Sequence, residues 1–104
     1  MDRLDYGMTR SLPGVPFDDA VDRVIAALGT EGFGVLTRID VRETLKARLG
    51  IEGPPYVILG ACNPPLAHAI IETEPWAGLL LPCNVAVRAV AEGDSAVAIL
   101  DPKA

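Results

Sequence analysis

The chain predicts an α/β (α+β) sandwich: one domain over residues 1–104, with helices packed on a mixed sheet and a C-terminal β-hairpin. Three observations predict it. Apolar residues recur at helical spacing in one segment, "FDDAVDRVIAAL". A continuous apolar run, "YVILGAC", stands between turn signals. Two short β-branched runs, "CNVAVRAVA" and "AVAIL", close on "EGDS". Periods of 3.6 and 2 alternating along one chain are the mark of helices layered on a sheet. At 104 residues, half of them hydrophobic, the chain is long enough for one core without disulfide or metal support.

The elements follow in order. Asp5 to Leu12 reads as a first strand, ended by Pro13, Gly14 and Pro16. Phe17, Ala20, Val21, Val24, Ile25 and Leu28 then line one helix face. Asp18, Asp19 and Asp22 fall on the wet face, where acids near a helix N-terminus favour the macrodipole. Gly29 or Gly32 can end this helix. Phe33 to Ile39 alternates as a strand. Asp40, with Glu43 three residues on, resembles a capping box opening a second helix. Val41, Leu45 and Leu49 form its stripe, and Gly50 closes it. "GPP" forces a turn into Tyr56–Cys62, which reads as a central strand covered on both faces. Asn63 caps a third helix with Pro64 at its first position, and Pro75 stops it. The order is strand-helix-strand-helix-strand-helix-strand-strand.

Charge narrows the function classes. The net charge is −5, and the seven Arg and two Lys form no run. Nucleic-acid binding needs a basic patch, and anionic membrane surfaces need the same, so neither is expected as a partner. "MDRLDYGMTR" carries no apolar signal region. Two cysteines in such a chain suggest reduced thiols and a cytoplasmic location. There is no P-loop and no CxxC, and one histidine excludes HExxH. "GTEGFG" is glycine-rich but follows a helix and opens a strand, the reverse of a dinucleotide fingerprint. No catalytic constellation is visible, so the reading leans away from an enzyme.

The candidate site is built from Cys62, Asn63, Cys83, Asn84 and His68. Cys62 and Cys83 both sit at strand ends and both precede Asn. If the two ends adjoin, two thiols and two amides make a small polar cleft, suited to a soft metal ion, a haem edge or a sulfur species. The cofactor and any metal stay unknown. Cys62 stands before a helix N-terminus, which favours thiolate, but Pro64 and Pro65 remove two donors there. Helical phase turns His68 away from the apolar side and pairs it with Glu72, four residues on. Gly60, on the Cys62 side of its strand, marks either close packing or a small pocket. Trp76 and Leu79-Leu80-Leu81 read as core or as an apolar dimer surface. Three functions follow: a binding module near Cys62 and Cys83, a thiol enzyme with Cys62 as nucleophile and His68 as helper, or a structural dimer or partner-docking domain.

Three blocks, "EGFGVLTRIDVRETLKARLG", "YVILGACNPPLAHAIIETEP" and "GLLLPCNVAVR", together resemble the Domain of Unknown Function 302 family, over about Phe17 to Pro102. The resemblance implies a compact α/β domain of bacterial or archaeal origin, often homodimeric, with no established reaction and no catalytic residue to carry over. Trp76 stands where a smaller or charged residue is more usual in similar sequences. Similar proteins also continue past the position of Ala104 into another helix, whose loss would uncover an apolar sheet face.

Overall fold

The computed structural model describes residues 2–100; the expectation about chain beyond Ala104 lies outside them. The elements are β1 (Asp2–Arg3), β2 (Gly7–Leu12), α1 (Phe17–Thr30), β3 (Gly34–Asp40), α2 (Val41–Leu49), β4 (Tyr56–Cys62), α3 (Pro64–Thr73), a 3₁₀ segment (Pro75–Leu80), β5 (Cys83–Ala91) and β6 (Asp94–Leu100). The strands form one six-stranded sheet in the order β1-β2-β6-β5-β4-β3. The α/β sandwich class and the C-terminal hairpin are as the sequence predicts. The 3₁₀ segment and the two-residue β1 are additional.

Every strand pair is antiparallel, where the element order suggested a mixed sheet. The reason lies in α2 and α3. A parallel crossover needs a helix that packs back along the sheet. Neither α2 nor α3 buries a residue. Each is an excursion between neighbouring strands, β3 to β4 and β4 to β5, rather than a crossover. Only α1, with its full stripe, makes a covering layer. Its Ala20 and Val21 are buried against Val57, Leu59 and Ala61 of β4 and Val85 and Val87 of β5.

Local signals place the ends. The Asp40 side chain accepts from the Glu43 N–H at 3.0 Å, starting α2. Gly50 takes φ +68 and closes it in the left-handed region. Asn63 caps α3 by accepting from the Leu66 N–H at 3.1 Å. The loop before α1 is held to the β5–β6 hairpin by two bonds. The fully buried Ser95 hydroxyl donates to the Val15 carbonyl at 2.8 Å. The Gly14 N–H donates to the Asp94 carboxylate at 2.7 Å.

Candidate functional site

The two cysteine-bearing strand ends do meet. In the β4–β5 ladder Ala61 faces Cys83, and Gly60 faces Asn84. The pleat then separates the thiols. Ala61 is buried on the face that α1 covers, and Cys83, directly opposite it, shares that face. Cys62 follows Ala61 and projects from the other face, since successive side chains alternate. One residue of register thus divides the expected pair of thiols, and the single cleft of two thiols and two amides does not form. Both cysteines are free, Cys62 half-buried and Cys83 exposed. Among the described residues no three of His, Cys, Asp and Glu come together as a metal site.

The other predicted residues have structural placements. Asn63 is the α3 cap, and its amide nitrogen lies 3.1 Å from where a Cβ on Gly32 would sit. Gly32 has φ +81, so the chain turns tightly beneath the cap. His68 is exposed and pairs with Glu72 across one helical turn, Nε2 to Oε1 at 3.5 Å, as helical phase predicts. Gly60 belongs to close packing rather than to a pocket. A Cβ there would collide with the Thr37 hydroxyl and lie 2.8 Å from the Pro82 ring.

An apolar concave feature lies on the α1 face. A cavity of about 460 Å³ sits between the C-terminal half of α1 and the sheet, walled by Met8, Val24, Leu28, Phe33, Val97 and Ile99. A second, of about 490 Å³, adjoins it below the 3₁₀ segment and reaches Cys83 and Asn84. The two share Leu28, Phe33, Val85 and Ile99 as walls, so they are adjoining halves of one apolar surface. Arg10 and Glu31 lie at its far end. Sequence reasoning placed Cys83 and Asn84 but missed this cleft. Its signal was the half-satisfied stripe of α1: Val24, Ile25 and Leu28 are only partly buried, because one helix cannot cover the central strands alone.

A single α1 layer on a six-stranded antiparallel sheet, with two unpacked helical excursions, defines a small α/β sandwich domain whose concave surface is apolar. The chain belongs to the family described as Domain of unknown function DUF302, matched over residues 8–104. It is similar to an uncharacterised conserved DUF302 protein from Bacillus stearothermophilus known from its crystal structure. The two are 28% identical, with a TM-score of 0.83; the match covers 95% of this chain and 76% of the other. Among curated proteins none matches the chain.

Proposed function

We propose that the chain is a binding module that takes an apolar-bodied small molecule into the cleft on the α1 face. The observation that supports it is the continuous apolar cleft, with polar groups at both ends: Cys83 and Asn84 at one, Arg10 and Glu31 at the other. Each half falls in the ~300–1,000 Å³ range of small-molecule sites, which pair apolar walls with a few polar groups. The ligand site so read keeps Cys83 and Asn84 and releases Cys62, Asn63 and His68 to structural and surface roles. The thiol-enzyme reading would need the His68 imidazole turned toward Cys62, and that ring is instead drawn to Glu72.

The same reading gives the module a cytoplasmic setting, which suits two unpaired thiols, and a second copy as partner. No helix among the described residues is long and apolar enough to cross a membrane. Native mass spectrometry with an absorbance spectrum of freshly purified protein tests the ligand reading. Retained small-molecule mass supports it. So does binding of an environment-sensitive apolar dye that is lost in Ala27→Phe, whose ring enters the cleft. No retained mass, with dye binding unchanged in Ala27→Phe, overturns it.

A further inference from the structure

The second face of the sheet carries different chemistry from the first. Val57, Leu59, Val85 and Val87 point into the core with α1, so alternation turns Tyr56, Ala86 and Arg88 to the opposite side. The ladders extend that side across four strands. Tyr56 of β4 is opposite Arg88 of β5, Arg88 is opposite Ala96 of β6, and Ala96 is opposite Ser11 of β2. The next row on the same face runs Ile58, Ala86, Ala98 and Thr9. A sheet face that takes a packed layer repeats large apolar side chains in such rows. These rows hold, beside Ile58, a guanidinium, a phenol, two hydroxyls and three alanines.

The alanines make a hollow. Ala86, Ala96 and Ala98 are half-buried and end at a methyl group, whereas the longer side chains of Tyr56, Arg88 and Leu4 surround them. The result is a groove of about 370 Å³, within the ~300–1,000 Å³ range of small-molecule sites. Its charge runs against that of the chain. The sequence has 14 Asp and Glu against 9 Lys and Arg, yet the described lining of this groove includes Arg88 and Arg10 and no carboxylate. Arg10 borders it from β2, but alternation sends its side chain toward the α1 face. Arg88 is therefore the cation on the groove's own face. Among the described residues the ion pairs are Lys46 with Glu52 and His68 with Glu72, so Arg88 has no acidic partner. An exposed arginine on a convex surface is ordinary. This one stands in a concave site, directly across from a phenol and one strand from Ala96 and its neighbour Ser11.

We infer that this groove binds a small organic monocarboxylate with a flat apolar body, of the aromatic-acid class. The planar guanidinium fork matches the two oxygens of a carboxylate. The hydroxyls of Ser11 and Thr9 and the phenol of Tyr56 are donors for the lone pairs that the fork leaves over. The alanine methyl groups have no polar atoms to satisfy, so a ring can rest on them. One cation balances one negative charge, and the field of a chain with net charge −5 disfavours a dianion such as a phosphate monoester. The site lies across the sheet from the α1 cleft and takes a ligand of different chemistry, so it stands or falls independently of the cleft.

Titrating benzoate into the isotope-labelled chain, followed by amide chemical shifts, tests the site. The expected result is saturable shifts at Ser11, Arg88, Ala96 and Ala98, with Val24 and Leu28 of α1 unmoved. Benzamide, which keeps the ring and lacks the charge, gives none at the same concentrations. Acetate, which keeps the carboxylate and lacks the ring, binds more weakly. Arg88→Gln weakens benzoate binding roughly tenfold or more, the scale of a lost hydrogen bond to a charged group. Arg88→Lys, which keeps the charge and loses the fork, falls between it and the wild type. Arg23→Gln makes the same charge change at an exposed position on α1 and leaves binding unchanged. Arg88 is exposed, so its substitution leaves the fold intact, and an unchanged urea midpoint checks this. Absence of saturable shifts overturns the inference, as do equal shifts from benzamide or an affinity unchanged in Arg88→Gln. Tighter binding of phenyl phosphate than of benzoate overturns the carboxylate class. Saturation confined to Val24, Leu28 and Ile99 also overturns the inference, and supports the cleft instead, so the two readings fail separately.

Discussion

At Gly60 the absence of a side chain is a packing requirement. It faces Thr37 on β3 and Asn84 on β5, and the Thr37 hydroxyl and the Pro82 ring occupy the space a Cβ would take. Neither neighbour is a long flexible side chain that could swing clear. Gly60→Ala is therefore expected to destabilise by ~1–3 kcal/mol, the cost of overpacking a filled site. It should appear as a lower urea midpoint at unchanged slope, and Thr37→Ala in the same chain should recover part of it. An unchanged midpoint would mean the β3–β4–β5 packing is looser than the geometry has it. The choice at Gly60 between close packing and a pocket was open in the sequence, because what fills the space comes from two other segments. The cysteines were harder still. That Cys62 and Cys83 sit at strand ends was legible from their positions beside turn signals; that the two ends meet was not, and comes from the β4–β5 ladder. Which face each thiol takes depends on inter-strand register, and a one-residue difference reverses it. No local pattern around either cysteine encodes that register.

At the scale of elements, the three helices differ in what holds them. α1 is anchored by buried Ala20 and Val21. α2 and α3 bury nothing, so their ends carry more of their stability. The case is sharpest for α3. Pro64 and Pro65 have no N–H to offer, and the Leu66 N–H rests on the Asn63 side chain. Asn63→Ala removes that bond, at about 1 kcal/mol. Because α3 lacks a buried face, the loss should be local. Hydrogen exchange is expected to quicken across α3 while amides of β4 and β5 hold their rates. If β4 and β5 quicken equally, α3 is part of the global folding unit of the single chain. The starts of α2 and α3 at Asp40 and Asn63 and the stops at Gly50 and Pro75 were readable from local residues, since capping is chemistry within four residues; the start of α1 has no side-chain cap and was readable only from its apolar stripe. The antiparallel sheet was not. The narrow stripe of Val41, Leu45 and Leu49 looks like a packing face, and only the tertiary structure shows that it buries no residue.

Over the whole molecule, the buried apolar set among the described residues is small. It comprises Val15, Ala20, Val21, Val57, Leu59, Ala61, Val85 and Val87, all in the layer between α1 and one sheet face. Large apolar side chains on β3, α2, α3 and the 3₁₀ segment remain exposed. A chain that keeps this much apolar area in water gains less from folding alone than its composition allows. If a second copy covers that area, association adds to stability, and a stability that includes association depends on concentration. The melting temperature is expected to rise by roughly 5–10 °C over a ~100-fold increase in protein concentration, taking the usual unfolding entropy of a domain this size. A filled cleft would raise the melting temperature at any protein concentration, through ligand concentration instead. The two contributions separate in Trp76→Glu, at an exposed position outside the cleft lining. That variant should melt lower than the wild type and lose its concentration dependence, yet still respond to an apolar ligand. A flat melting temperature in the wild type would leave the single chain as the stable unit and assign its exposed apolar surface to a partner other than itself.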